Sequence, residues 1–176
     1  MDILLLDSAG FDKHRDGLVT LLGDAVQHGA SVGFLWPLDE ATAGAYVDGL
    51  RASIDEGARL LWVALRDGHL VGSVQLELCL RENGRNRAEV QKLLVLNDAR
   101  RGGIARQLMS TLETRARELE RGLLYLDTEA GSPAEDFYRA LGYHYAGGLP
   151  DYACGPAGHY RPNAIYYKTL FNRGAA

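Results

Sequence analysis

The sequence predicts an α/β (α+β) fold with a mixed central sheet of about seven strands, in the order β-α-α-β-β-β-α-β-α-β-β. Three observations predict it. Leu60–Leu65, Leu70–Leu80 and Arg87–Leu96 are apolar stretches joined by the turn signals Arg66-Asp67-Gly68-His69 and Glu82-Asn83-Gly84, which reads as an antiparallel meander. Apolar residues recur at helical spacing before and after that meander. The segment from Arg87 through a helix to Leu126 is a strand-helix-strand crossover, which demands one parallel pair.

The elements follow in order. Ile3–Leu6 is a short apolar strand. Phe11–Val26 is a helix on the stripe Leu18, Leu21, Leu22 and Val26. Gly29–Trp36 breaks that pattern, and Asp39–Ile54 is a second helix capped by Asp39, with Ala45, Leu50 and Ile54 facing inward. In Leu70–Leu80 the alternate residues Leu70, Gly72, Val74, Leu76, Leu78 and Leu80 form an apolar face, while Val71, Ser73, Gln75 and Glu77 form a more polar one. Gly103–Glu120 is the central helix, with Ile104, Leu108, Leu112, Ala116 and Leu119 as its core stripe and Arg121-Gly122 as its stop. Leu123–Leu126 is a strand, and Pro133–Leu141 is a helix with proline in its first turn. Tyr143–Ala146 and Ala164–Leu170 are the last strands, separated by a long loop rich in Gly, Pro and Tyr, of the kind that often carries function. At 176 residues, without repeats or linkers, the chain is expected to be one domain over residues 1–176.

Composition narrows the function. A formal net charge of -4 argues against a general nucleic-acid binder. No apolar run approaches the ~18 residues that a membrane helix needs, and Met1–Gly10 lacks the basic start of a signal peptide, so a cytoplasmic protein is expected. The two cysteines give no disulfide framework: Cys79 reads as a small core residue and Cys154 lies in a Gly/Pro loop. The five histidines show no metal spacing, and no metal is expected.

The most informative stretch is Val95–Ala105, where an apolar strand stops, an Arg-Arg-Gly-Gly turn follows and a helix starts at once. That arrangement gathers backbone N–H groups and a helix N-terminus at one point, which suits phosphate. No Lys-Ser or Lys-Thr follows the glycines, so it is not a P-loop. The glycines are adjacent and come after three strands, unlike the early G-x-G-x-x-G of a dinucleotide fold. The pattern present is R-x-x-G-x-[GA], met by Arg100, Gly103 and Ala105.

With the downstream segment Ala134-Glu135-Asp136-Phe137-Tyr138-Arg139-Ala140-Leu141-Gly142-Tyr143, this loop resembles the GNAT acetyltransferases, whose pattern there is A-x-x-F-Y-x-x-x-G-F. Gly29–Phe34, Asn86–Leu93, Leu126–Ser132 and Ala164–Leu170 resemble the tabtoxin-resistance branch of that family, which acetylates a β-lactam-containing toxin of amino-acid type. The resemblance implies the GNAT fold, acetyl-CoA as co-substrate, direct acetyl transfer to a small amino-bearing molecule, and a homodimer. It further implies that Arg100, Arg101, Gly102, Gly103, Ile104, Ala105 and Arg106 hold the pyrophosphate. Leu93, Leu94 and Val95 would pair with the pantetheine amides, beside a bulge that splays the sheet.

Two residues depart from the family pattern. Arg101 stands where Gly is usual, and Gly131 stands where many members carry Asn; Ser132 is the residue expected to supply the missing contact. Glu89 and Asp127, on the two strands flanking the cofactor in this fold, are the candidate bases, and Tyr138 matches the tyrosine that donates to the leaving sulfur. Acceptor contacts are expected from Gly29, Ser31, Phe34, Glu129, Tyr152 and Arg161. A protein N-terminus, a polyamine, or a non-catalytic CoA-binding sensor remain alternatives.

Overall fold

The computed structural model describes residues 1–171. The strands are β1 (Asp2–Leu5), β2 (Arg59–Arg66), β3 (His69–Leu78), β4 (Arg87–Val95), β5 (Leu123–Glu129), β6 (His144–Gly147), β7 (Ala153–Cys154), β8 (Tyr160–Arg161) and β9 (Asn163–Thr169). The helices are α1 (Ser8–Gln27), α2 (Glu40–Gly49), α3 (Arg51–Asp55), α4 (Ile104–Glu118) and α5 (Pro133–Ala140). Seven strands form one mixed sheet in the order β1-β2-β3-β4-β5-β9-β6, while β7 and β8 make a small hairpin within the expected long loop. Only the β4–β5 pair is parallel, as the crossover through α4 requires. At the β2–β3 turn Asp67 and Gly68 both have positive φ, the geometry of a type I′ hairpin.

Two cores lie on opposite faces of the sheet. α4 and α5 cover one, burying Ile104, Leu108, Leu112 and Ala116 against Leu76, Leu124 and Leu126. α1 and α2 cover the other, burying Leu18, Leu21, Leu22, Val26 and Val47 against Leu61, Val63 and Leu94. Covering both faces changes one expectation. The more polar stripe of β3 is not solvated: Ser73 and Gln75 are buried, and Gln75 is satisfied by Arg59, whose guanidinium donates to its Oε1 at 2.8 Å. Arg59 also donates to Gln91 and Glu77, tying the face of β2, β3 and β4 together beneath α2.

Other departures are local. β3 ends at Leu78, leaving Leu80 exposed where the chain turns into a short 3-10 segment, Glu82–Gly84. Cys79 therefore lies just past the strand, half-buried, with its Sγ 2.5 Å from where a Cβ on Gly84 would stand. The expected single helix over 39–54 breaks at Leu50 into α2 and α3, while Asp39 caps it as expected, accepting from Thr42 N–H at 2.8 Å. Ala45 faces solvent, because the inward stripe is Ala43, Val47 and Leu50, and Ala45 stands about 200° around the helix from Ala43.

Candidate active site

β4 and β5 pair at Arg87–Leu123, Ala88–Leu124 and Glu89–Tyr125, and no further. Beyond that rung the strands diverge: β4 continues to Val95 against β3, and β5 continues to Glu129 against β9. The cause is a bulge in β4. Gln75 faces Gln91 and Ser73 faces Leu94, so three steps on β4 match two on β3, and the extra residue falls at Lys92–Leu93, where Lys92 has φ 48. The β4 edge from Val90 to Val95 lacks a β5 partner, so backbone groups of Leu93, Leu94 and Val95 line an open fork.

Both candidate carboxylates stand at this fork. Glu89 is on its vertex, half-buried, and accepts from the Tyr125 hydroxyl at 3.2 Å. Asp127 is two residues up β5 and exposed. Tyr138 is buried on α5, its ring 5.4 Å from Phe137 and 5.8 Å from Tyr143. Burial, reinforced by the charge of Asp127, pushes its phenol well above the usual range, so it keeps its proton. Its hydroxyl forms no hydrogen bond among the described residues.

At the end of β4, Arg100 Nε reaches back to the Val95 carbonyl at 3.4 Å. Arg101 has φ 64 and Gly103 φ 78; the side chain at Arg101 is carried in the left-handed region and points to solvent. Gly103 caps α4 without a side-chain bond, leaving the N–H groups of Ile104, Ala105 and Arg106 at the open end of the helix. Across the sheet edge, Arg66 Nη2 lies 3.1 Å from where a Cβ on Gly102 would be, which puts another guanidinium against the loop. Ser132, at the start of α5, has a buried Oγ with no partner.

The acceptor candidates divide. Gly29, Glu129 and Arg161 line one pocket of about 330 Å³ with Trp36 and His159. The two loops that form it are joined by the Trp36 N–H donating to the Pro156 carbonyl at 3.1 Å. Tyr152 is exposed and does not line that pocket; the charge of Asp127 first, then burial, then the charge of Glu89 raise its phenol. Phe34 packs edge-on against Tyr46 at 5.3 Å, and Ser31 is half-buried in the same segment; neither lines that pocket.

Residues 24–143 match the acetyltransferase (GNAT) family. The chain belongs to that family. Among solved structures, a ribosomal-protein-alanine N-acetyltransferase from Brucella melitensis is 23% identical, with a TM-score of 0.77, over 96% of this chain and 99% of that one. Aminoglycoside 6'-acetyltransferase type Ii is 24% identical, with a TM-score of 0.74, over 98% and 99%. The yncA protein of Salmonella typhimurium, solved with its cofactor acetyl-CoA, is 17% identical, with a TM-score of 0.78, over 100% and 97%. These likenesses establish the GNAT fold.

This GNAT protein is an acyltransferase that uses acetyl-CoA. The residues present fit that molecule: an unpaired strand edge, an uncapped helix start and a buried orphan hydroxyl at Ser132 are donors awaiting acceptors. No group of three or more His, Cys, Asp or Glu with metal-holding geometry occurs among the described residues, and none of their helices is long and apolar enough to cross a membrane. Sequence reading missed Arg66 and Lys92. Arg66 comes to the loop only through the β2–β3 hairpin, and Lys92 has as its one sequence signal the rarity of lysine in this chain.

Proposed function

We propose that this chain, a single domain over residues 1–176, transfers an acetyl group directly from acetyl-CoA to the amine of a small molecule at the β4–β5 fork. The observation that carries the proposal is the fork itself, with Glu89 at its vertex, Asp127 on its far arm and the protonated Tyr138 within reach of Asp127's charge. Acetyl-CoA supplies the acyl group as a thioester.

The chain's residues supply the rest. An amine of pKa ~10 is neutral only about once in 10³ molecules at pH 7, so it needs a base. Two carboxylates at one fork attract the ammonium and take its proton, Asp127 being the more accessible of the two. The unpaired β4 edge supports hydrogen bonding by Leu93, Leu94 and Val95, with a backbone N–H near Leu94 facing developing negative charge. Arg100–Arg106 hold the pyrophosphate, aided by Arg66, and Ser132 takes the place of the absent Asn. Tyr138 holds the proton that a leaving thiolate requires.

A pocket of about 330 Å³ suits a small molecule, and a lining that holds both Glu129 and Arg161 suits one bearing both charges. Gly29 lines it, and Ser31, Phe34 and Tyr152 complete the acceptor contacts in this proposal. A toxin of the tabtoxinine-β-lactam type is the acceptor we put first; a polyamine or a protein N-terminus would need other features. A homodimer and a cytoplasmic location rest on the family resemblance and the composition.

The test is thiol release from acetyl-CoA against tabtoxinine-β-lactam, amino acids, polyamines and N-terminal peptides. Release with the toxin alone supports a detoxifying enzyme. Release with peptides or polyamines alone removes the toxin from the proposal. Tight acetyl-CoA binding with no release at all points to the sensor.

A further inference from the structure

Lys92 is a half-buried charge to which the mechanism gives no work. The chain contains three lysines against sixteen arginines. Lys13 is exposed, and Lys168 is bonded to Glu113 at 2.7 Å and to the Leu141 carbonyl at 2.7 Å. Lys92 alone stands at the fork, on the bulge of β4. Its ammonium lies 5.6 Å from the centroid of the Tyr46 ring. It forms no hydrogen bond or ion pair among the described residues, although the charges of Asp127 and Glu89 both reach it. Burial first, and also the like charge of Arg59, lower its pKa, against the pull of Asp127 and Glu89. Its Nζ keeps contact with solvent, so its donors are open to an incoming acceptor.

Lys92 faces the segment between α1 and α2: a Cβ built on Gly33 would meet its Nζ at 4.0 Å, ordinary van der Waals contact. Gly33 belongs to the segment between α1 and α2, on the same side of the sheet as Tyr46. The Lys92 ammonium therefore lies beside the α1–α2 segment, with Gly33 and Tyr46 as its neighbours there.

We propose that Lys92 is a specificity-determining residue: its ammonium holds a carboxylate on the same small molecule whose amine meets Asp127 and Glu89. This rests on the acetyl-transfer proposal for the fork. A zwitterion matches the site twice, ammonium to the carboxylates and carboxylate to Lys92. A polycation meets the carboxylates but brings a second like charge toward Lys92. Acceptors are therefore amino-acid-like, and polyamines are disfavoured. Lysine suits this task because its charge is compact and strongly hydrated when free, and is discharged by contact with an anion rather than by a planar fork of bonds.

The experiment uses two matched probe pairs, lysine with cadaverine and ornithine with putrescine, differing by the carboxylate. Their binding to the CoA-saturated protein is measured by calorimetry for wild type, Lys92→Met and Lys92→Arg, with thiol release from acetyl-CoA followed in parallel. We expect each amino acid to bind wild type about ten- to a hundredfold more tightly than its diamine, the worth of a hydrogen bond to a charged group. Lys92→Met should abolish that preference, Lys92→Arg should retain part of it, and acetyl-CoA affinity should stay unchanged in both. A wild type without carboxylate preference, or a preference that survives in Lys92→Met, overturns the proposal. A preference that Lys92→Met removes, with no thiol release from any amine, keeps Lys92 as the carboxylate site and removes acetyl transfer.

Discussion

The Tyr125 hydroxyl donates to Glu89 Oε2 across 3.2 Å, on the last rung where β4 and β5 pair. Burial first, and then the charge of Glu89, raises the Tyr125 phenol, so it remains a donor. The bond holds Glu89 at the vertex of the fork, while Asp127 has no such tether among the described residues. Tyr125→Phe frees the carboxylate without opening a cavity. We expect kcat to fall about fivefold, equivalent to ~1 kcal/mol for one hydrogen bond, with acetyl-CoA affinity unchanged. Steady-state kinetics beside a binding titration checks this.

Glu135 fixes the loop that precedes α5. It is buried and accepts from the Tyr166 hydroxyl and from the Gly131 N–H at 2.7 Å, with Arg139 at 3.0 Å. The Tyr166 bond first, then the Gly131 bond, holds its carboxyl below the usual range, against a smaller effect of desolvation. A carboxyl depressed in the folded state contributes stability that is present above its unfolded value, near 4.3, and is lost as pH falls through the folded value. Glu135→Gln should therefore cost about 1–3 kcal/mol at pH 7 and progressively less below pH 4. Urea unfolding of both proteins at several pH values reads the difference; a constant gap across that range would remove the ionised Glu135 from the account.

The central helix and the glycine turn were legible in the sequence because each rests on local chemistry. Ile104, Leu108, Leu112 and Ala116 repeat at helical spacing, and Gly103 occupies a left-handed cap. Glu89, Asp127 and Tyr138 were found through their place in a family pattern; the fold puts Glu89 and Asp127 on the two arms of the fork and buries Tyr138 among Phe137, Tyr143 and Tyr166, with the charge of Asp127 reaching it. The bulge was not legible, since Gln91, Lys92 and Leu93 carry no glycine or proline to mark the extra residue. Burial of Ser73 and Gln75 was missed for a different reason: alternation shows two faces of a strand but not which of them a helix covers. The outward face of Ala45 was missed because alanine is compatible with either side of a helix.

Ser132 carries a buried hydroxyl with no partner. An orphan of this kind destabilises the free protein and becomes useful once a ligand fills it. Ser132→Ala should leave the melting temperature unchanged or slightly raised without acetyl-CoA. The same variant should bind acetyl-CoA about three- to tenfold more weakly, equivalent to ~1 kcal/mol. Thermal melts with and without acetyl-CoA separate the two effects; a lowered melting temperature in its absence would mean that the hydroxyl has a structural partner.

Arg66, at the end of β2, and Arg100, within the turn itself, both stand at the glycine turn. Each neutral variant, Arg66→Ala or Arg100→Ala, should weaken acetyl-CoA by about tenfold, with the loss shrinking as salt rises because both side chains are exposed. Affinities at low and high ionic strength check this. Binding insensitive to both substitutions would remove the phosphate role from the turn.

The central claim is that carboxylates at the β4–β5 fork deprotonate an acceptor amine beside bound acetyl-CoA. The most direct measurement is thiol release by wild type and Asp127→Asn, with any amine that supports turnover, alongside acetyl-CoA affinity. We expect kcat to fall about a hundredfold or more, with acetyl-CoA affinity within about twofold and the acid limb of the pH–rate profile lost. Unchanged kcat and an unchanged pH profile in both Asp127→Asn and Glu89→Gln would contradict the claim.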